Sequence, residues 1–145
     1  MPSGKQHNYL NQTMLIILAG LVMFLDFAPG TRELYWFGLL GMMIGINYFN
    51  PDLDKNGTFA DQNYGMLHFV WDPYAKYVPH RGPSHHWLGI FTRLFYISPL
   101  LIAIAWKYYY WIIYNWQKPT AILAGILVAD WLHVLADKMF SLRSR

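Results

Sequence analysis

Four long apolar stretches constrain the fold of this chain more than any other feature. They run over about residues 10–28, 34–49, 88–106 and 120–140. Each approaches the ~20 residues that a helix needs to cross the hydrocarbon core of a bilayer. None carries the polar face of a water-exposed helix, which disfavours the alternative of a soluble all-α bundle. The sequence therefore predicts one all-α domain over residues 1–145, an integral membrane four-helix bundle running up-down-up-down.

Composition supports this class and excludes others. Of the 145 residues, 55% are hydrophobic and 13% are charged, against roughly 25% charged in typical soluble domains. Cysteine is absent, so disulfides and thiolate metal sites are excluded, and any transition-metal site must use imidazole and carboxylate. The net charge of +3 is spread along the chain, so we expect no nucleic-acid partner.

The loops predict an orientation. A long polar connection, residues 50–87, separates the second and third apolar stretches, and an aromatic belt occupies residues 108–116. With four spans, both termini and the long connection share one side, which carries seven Lys and Arg residues against three on the other. The positive-inside tendency then places both termini and this long loop between the second and third helices in the cytoplasm.

Most of the ionisable residues with metal-binding chemistry fall at that same end of the predicted bundle. Histidine precedes the first span, paired aspartates follow the second, three histidines precede the third, and a polar stripe lies late in the fourth. Imidazole and carboxylate together suit Zn, Fe or Mn. The predicted metal ligands are His7, Asp52, Asp54, His80, His85, His86, Asp130, His133 and Asp137.

Three other interpretations of these residues stay open. The stripe in the fourth helix, spaced i, i+3, i+7, can be a buried polar network that holds helices together. The paired aspartates can belong to a turn that only caps the second helix. A calcium loop matches Asp52, Asp54, Asn56 and Gly57 but has no Glu at its twelfth position.

Two arginines and one further histidine lie near this set. Arg81 follows His80 directly, and its guanidinium matches phosphate oxygens, so we predict that it holds an anion. Arg93 lies within the third apolar stretch and either reaches the site or extends to the membrane interface. His68 lies in an amphipathic patch, residues 64–71, predicted to rest on the bilayer surface and not assigned to the site.

The motifs, taken in order, resemble a known family. An early His, Pro-Asp-x-Asp after the second span, His-Arg-Gly-x-Ser/Thr-His before the third and His-x-x-x-Asp in the last resemble the predicted metal-binding, inner-membrane metal-dependent hydrolases, in their short metal-binding branch. His86 departs from the pattern of that family, whose hydrolytic activity is itself predicted from likeness to zinc-dependent phospholipases. The resemblance implies as ligands His7, Asp52, Asp54, His80, His85, His133 and Asp137.

These observations lead to one preferred function and two alternatives. We expect a membrane hydrolase of a lipid or amphiphile phosphoester with two divalent ions, zinc before iron or manganese, in which Asp54 bridges the ions and Arg81 holds phosphate. The H-x-x-x-x-H-H run at residues 80–86 suggests a di-iron lipid desaturase or hydroxylase instead. The other alternative is a non-catalytic protein that binds or transports a metal ion. For such a protein, Gly41 and Gly45, at small-x-x-x-small spacing, are expected to pack within the bundle or between the copies of a homo-oligomer.

Overall fold

The chain is all-helical in the part that the structure describes, as predicted. This computed structural model describes residues 4–25, 27–28, 30–80 and 82–143, and side chains within 8–25, 27–28, 30–80 and 82–139. These residues contain no β-strand. The α-helices are α1 Gly4–Phe24, α2 Thr31–Asn47, α3 Phe59–Gln62, α4 Asp72–Tyr77, α5 Ile90–Tyr96, α6 Ser98–Lys107, α7 Tyr109–Tyr114 and α8 Gln117–Arg143, with 3₁₀ turns at Pro51–Asp54, Gly65–Val70 and Pro83–His85.

A parallel helix pair, α2 and α8, forms the centre of the fold. A Cβ atom on Gly41 would lie 2.0 Å from the backbone oxygen of Ile122, and one on Gly125 would lie 1.9 Å from that of Gly38. Carbon atoms do not approach oxygen so closely, so glycine is what allows the two backbones to meet. Small-residue contacts of this type bring membrane helices together. Gly41 and Gly45 therefore pack within the bundle, against α8.

The third core helix, α1, runs antiparallel to α2. Gln12 of α1 donates a hydrogen bond to Asn47 at the end of α2, at 2.8 Å. Further along α1, Met14, Leu15 and Leu18 pack on a buried cluster of α2 and α8. The start of α1, the end of α2 and the later part of α8 therefore lie at one end of the bundle, which we call the site end.

The predicted third span over residues 88–106 is wrong as a single helix. It is divided into α5 and α6, which are bent by 67° at a break around Ile97. Pro99 lies in the first turn of α6, where it has no backbone N–H to donate to the carbonyl of Phe95 and its ring would clash with that carbonyl, so one continuous helix is interrupted before it. Because α6 and α7 make few contacts with the other helices, the described residues form a three-helix bundle with a bent apolar arm.

Fewer helices than predicted are long and apolar enough to span a membrane. Among the described residues, one helix is long and apolar enough to cross a bilayer, over Gln117–Met139, and the bent pair α5 and α6 would be a second if it forms one broken span. The apolar part of α1, Asn8–Phe24, is shorter, and α2 has 17 residues. Because the core helix of a water-soluble protein can have the same length and composition, the predicted membrane four-helix bundle is not supported.

The long connection between α2 and α5 is an ordered cap over the site end. Trp71 is buried in its centre and packs edge-on against Phe49, with 6.0 Å between ring centroids. The predicted amphipathic patch, residues 64–71, is thereby divided: Trp71 faces inward, whereas Met66 is 92% exposed. The cap has its own apolar core and holds its polar residues in fixed positions above α2 and α8.

Candidate metal centre

Two carboxylates are presented by a single 3₁₀ turn that follows α2. The Asn50 side chain accepts a hydrogen bond from the backbone N–H of Asp52 at 3.0 Å, and Pro51, with its fixed φ, starts the turn. Leu53 is buried in the cap core, which anchors the turn. The Asp54 side chain is fully buried, whereas Asp52 is partly exposed. One carboxylate therefore lies inside the protein and the other lies at its edge.

A second turn, Pro83–His85, docks on the buried carboxylate. Ser84 Oγ donates a hydrogen bond to Oδ2 of Asp54 at 2.5 Å, and Nδ1 of His80 lies 2.7 Å from Oδ1 of the same residue. Gly89 lets the chain that follows pack closely on this turn, since a Cβ atom there would lie 2.1 Å from the backbone oxygen of Ser84. The two turns are thus joined through Asp54.

Helix α8 supplies the third side of the site. His133 and Asp137 are one helical turn apart, and Nε2 of His133 lies 3.6 Å from Oδ1 of Asp52 and 3.8 Å from Oδ2 of Asp137. The same Asp137 oxygen lies 2.8 Å from Nδ1 of His85. Residues predicted from three separate segments of the sequence therefore meet at the site end.

Among the described residues, two overlapping groups have the geometry to hold an ion: Asp52, His85 and His133, and Asp54, His80 and His85. Nε2 of His85 is buried and has no hydrogen-bond partner in the described part of the chain; it lies 3.6 Å from Asp52 Oδ1 and 3.4 Å from Asp54 Oδ2. Two ligands of a tetrahedral zinc ion lie roughly 3.3 Å apart, whereas hydrogen-bonded atoms lie at about 2.7–3.2 Å. These separations and the imidazole–carboxylate donor set fit a divalent transition ion.

The other ring nitrogen of His85 fixes the orientation of the imidazole. Its contact with Asp137 is the carboxylate–histidine arrangement that commonly supports metal-binding imidazoles, in which one ring nitrogen donates to a carboxylate and the other binds the ion. Because one imidazole nitrogen binds one ion, Nε2 of His85 serves only one of the two groups at a time.

The carboxylates also determine the charge state of the site. Burial opposes ionisation of Asp54, but the close approach of His85, Ser84 and His80 outweighs it and lowers the pKa of Asp54 to about 2. Burial likewise disfavours a charged His85, yet its contacts with Asp137 and Asp54 raise its pKa to about 9. The pKa of Asp52 is lowered by His133 despite burial. Without metal, His85 is therefore an imidazolium at neutral pH.

Two predicted ligands lie apart from both groups. His86 is exposed on the surface, where its Nδ1 accepts from the backbone N–H of Leu88 at 3.5 Å. Asp130 is buried and paired with Arg93, which also donates to the backbone oxygen of Ser84 at 3.2 Å. Of its two predicted positions, Arg93 therefore occupies the one beside the site, where it contacts the backbone of Ser84. This pair and the role of Ser84 were not predicted from the sequence, although Ser84 lies within the histidine-rich run.

Two further predicted site residues lie outside what the structure describes. The backbone of His7 belongs to the first turns of α1, at the site end, but its side chain is outside the described residues. Arg81 is wholly outside them, between His80 and Gly82. The predicted roles of His7 as a ligand and of Arg81 as an anion clamp stay predictions.

The residues of the calcium-loop pattern do not converge. Asn56 donates to Asp72 at 3.1 Å, and the backbone N–H of Gly57 donates to Asp61 at 2.7 Å. Asp52, by contrast, faces the histidines. The second half of the pattern therefore belongs to the cap and not to the site.

Comparisons with known proteins support metal binding. Residues 2–121 match the family described as "Uncharacterized metal-binding protein (DUF2227)". An "Uncharacterized protein" of Aquifex aeolicus (strain VF5) is 34% identical over 59 residues, which cover 40% of this chain and 42% of that relative. No solved structure matches the chain. The resemblance noted from the motifs is supported in its metal-binding part, whereas nothing in these matches concerns membrane hydrolysis. The family match covers most of the chain, which therefore belongs to this family of metal-binding proteins.

Proposed function

We propose that this protein is a membrane-embedded, metal-dependent hydrolase that acts on a phosphoester of a lipid or another amphiphile. The observation that carries the proposal is the buried Nε2 of His85, which faces Asp52 and Asp54 at the separations of metal ligands instead of hydrogen-bonding them. An ion bound by these residues supplies Lewis-acid polarisation and a nucleophilic water at neutral pH.

The residues around this position can bind substrate and move a proton. The side chain of His80 is 37% exposed, so it lies at the mouth of the site. When Nδ1 donates to Asp54, Nε2 of His80 can exchange a proton with a leaving group or with solvent. Asp137 keeps the His85 ring oriented. Arg81, next to His80 in sequence, is proposed to hold the phosphate.

Exposed apolar surface supports the membrane part of the proposal. On α6, Leu100, Ile102 and Trp106 are exposed, Trp106 by 87%, and on the cap Met66 and Phe69 are exposed as well. Exposed residues follow one another along α6 from Pro99 to Lys107, and most of them are apolar. Large exposed apolar patches are rare on proteins that face water alone. We propose that a bilayer covers it, and that the site end and both termini face the cytoplasm, as the distribution of Lys and Arg suggests.

Metal content and identity are open to direct measurement. We propose zinc as the ion, with iron or manganese as alternatives, because imidazole and carboxylate bind all three. The two ions predicted from the sequence stay a prediction, since both groups use His85. Elemental analysis of protein purified without added metal measures the number and the kind of ion per chain.

Hydrolysis is tested with purified protein in detergent, metal-loaded, against phospholipid vesicles and a chromogenic phosphodiester. We expect turnover that is lost in Asp54→Asn and His80→Asn and retained in His86→Asn, because His86 lies outside both groups. Full activity in the first two variants, with metal still bound, would contradict the assigned roles. Metal-loaded wild-type protein that hydrolyses none of these substrates would contradict the hydrolase proposal.

One observation favours a non-catalytic alternative. The grouped residues come from two turns of the cap and from α8, so a bound ion would fasten the cap to the bundle. A purely structural role predicts that metal raises the thermal stability while no substrate is turned over. The di-iron alternative loses support, because His86 of the H-x-x-x-x-H-H run is exposed and belongs to neither group. Colour and iron content after anaerobic purification test it independently.

A further inference from the structure

Asn11 of α1 is a buried polar residue without an evident role. It is only 1% exposed, and neither its side-chain oxygen nor its side-chain nitrogen has a hydrogen-bond partner among the residues whose side chains the structure describes. Buried amides normally pair with protein atoms or ordered water, because leaving both ends unpaired is unfavourable. The neighbouring Gln12, in contrast, is hydrogen-bonded to Asn47. An amide in this state is available to bind a ligand through either end.

The packing of the core helices places Asn11 at the height of the metal groups. Gln12 of α1 is level with Asn47 at the end of α2, to which it is hydrogen-bonded. Gly45, two residues before Asn47 on α2, faces Ala129 of α8: a Cβ atom on Gly45 would lie 2.7 Å from the Cβ of Ala129. His133 is one turn beyond Ala129 in the direction of the site end. Asn11 is likewise one residue beyond Gln12 in that direction.

The directions of the side chains bring the two residues closer together. Side chains on a helix tilt toward its N-terminus. On α1 that direction leads to the site end, whereas on α8 it leads away from it. Asn11 and His133 therefore tilt toward a common level. Asn11 precedes Met14, Leu15 and Leu18 by three, four and seven residues, so it lies on the same face of α1 as these core residues. Because it is also buried, Asn11 lies within the bundle.

From this placement we infer that Asn11 is a further ligand residue of the metal centre and presents its amide oxygen to the ion at the Asp52, His85 and His133 group. The inference rests on the proposed metal site but not on hydrolysis. An amide is a suitable addition, because Asp52 and the nearby Asp54 and Asp137 already supply negative charge, and a neutral oxygen adds coordination without more repulsion. Asn50, the other buried asparagine near the site, already uses its amide in the turn.

The test compares Asn11→Leu with wild-type protein by titration with Co²⁺ and Zn²⁺ in detergent. Leucine has nearly the shape of asparagine and removes the unpaired amide, so the metal-free variant should be at least as stable as wild type. We expect Zn²⁺ affinity to fall by about 10- to 100-fold and the Co²⁺ absorption bands to shift. Gln12→Leu, one position along the same helix, is the matched control and should leave both readouts unchanged.

A second variant keeps the inference testable if leucine prevents folding. Asn11→Asp retains an oxygen at the same position, so Co²⁺ should still bind, at least as tightly as in wild type. Because a carboxylate would replace an amide at the ion, the Co²⁺ absorption bands of Asn11→Asp should differ from those of wild type. Identical bands in wild type and Asn11→Asp, or equal metal affinity in wild type and folded Asn11→Leu, would overturn the role of Asn11 alone. Wild-type protein that binds neither ion would overturn the proposed metal centre, and the ligand role with it.

Discussion

At the scale of single residues, His85 has the central position in the site. One ring nitrogen contacts Asp137, and the other faces Asp52 and Asp54 without hydrogen-bonding either. Because the residue belongs to both candidate groups, its loss removes a donor whichever group holds the ion.

The next residue in the chain provides a matched comparison. We predict that His85→Gln lowers Zn²⁺ affinity by at least about 100-fold, since a histidine donor and its carboxylate support are both lost. His86→Gln should bind metal like wild type, because His86 is exposed. Elemental analysis and Zn²⁺ titration measure both variants, and circular dichroism checks that helices are retained. Equal binding by the two variants would show that the site lies elsewhere.

The charge of His85 predicts how metal binding depends on pH. The folded protein holds the His85 proton up to a pKa of about 9, so an ion must displace it below that pH. Zn²⁺ affinity should therefore rise by up to about tenfold per pH unit between about pH 6 and pH 8. Titrations at several pH values test this, and a flat profile would contradict it.

The metal-free protein should show the opposite trend in stability over part of this range. A raised pKa stabilises the folded state fully below the unfolded value of 6.5, and this contribution is lost as pH rises through about 9. The lowered pKa of Asp54 contributes above 3.8 and is lost as pH falls toward about 2. Denaturation of chelator-treated protein should therefore find these contributions greatest between about pH 4 and pH 6.5.

Residue types and spacing predicted much of the site but not which candidates face inward. Asp52, Asp54, His80, His85 and His133 occupy the two groups because turns and helix ends bring them together. Asp130 shares its helix face with His133, yet one turn earlier it meets Arg93 of α5, and no local pattern shows that partner.

The burial of His85, His86 and Asn11 could likewise not be predicted from the sequence. Adjacent histidines look equivalent in sequence, but the Pro83–His85 turn directs His85 inward and leaves His86 exposed. Asn11 resembles any polar residue near a helix start until its burial is known. Both outcomes depend on tertiary packing, which spacing alone does not determine.

At the scale of elements, the contact between α2 and α8 sets the position of the site. A Cβ atom on Gly125 would meet backbone atoms of Gly38 and Met42 at 1.9 and 2.6 Å, and backbone cannot rotate away as a side chain can. The two helices would have to separate to admit a methyl group, which would move His133 relative to Asp52.

We therefore predict that Gly125→Ala destabilises the protein by about 1–3 kcal/mol and weakens metal binding. Gly20→Ala is the control, because a Cβ atom on Gly20 of α1 has nothing within 4 Å. Removal of a helical glycine in open space should leave stability unchanged or raise it by up to about 1 kcal/mol. Thermal unfolding in detergent compares the two variants, and equal melting temperatures would contradict the close contact.

Helical structure could be predicted from apolar length, but the path of the third segment could not. Residues 88–106 read as one continuous apolar run, and Pro99 was the local sign of a break. A proline near a helix start is compatible with a helix, so its presence alone does not give a 67° bend. The order within the cap likewise depends on the burial of Trp71, which its apolar neighbours in sequence did not reveal.

At the scale of the whole molecule, the exposed arm formed by α6 and α7 determines what environment the protein requires. We predict that the protein remains in the membrane pellet after alkaline carbonate extraction of expressing cells, because we propose that a bilayer covers this apolar surface. Release into the supernatant as a folded oligomer would show instead that a second copy covers the arm. Immunoblotting of both fractions, with size-exclusion chromatography of any released protein, separates these results.

The positions of the grouped residues along the chain also have a consequence for biosynthesis. The first carboxylate of the groups is at position 52 and the last imidazole is at position 133, in the final helix. The ribosome produces the N-terminal part first. The Asp52, His85 and His133 group therefore does not exist until α8 has been synthesised and has docked, so an ion that needs this group can bind only after that step.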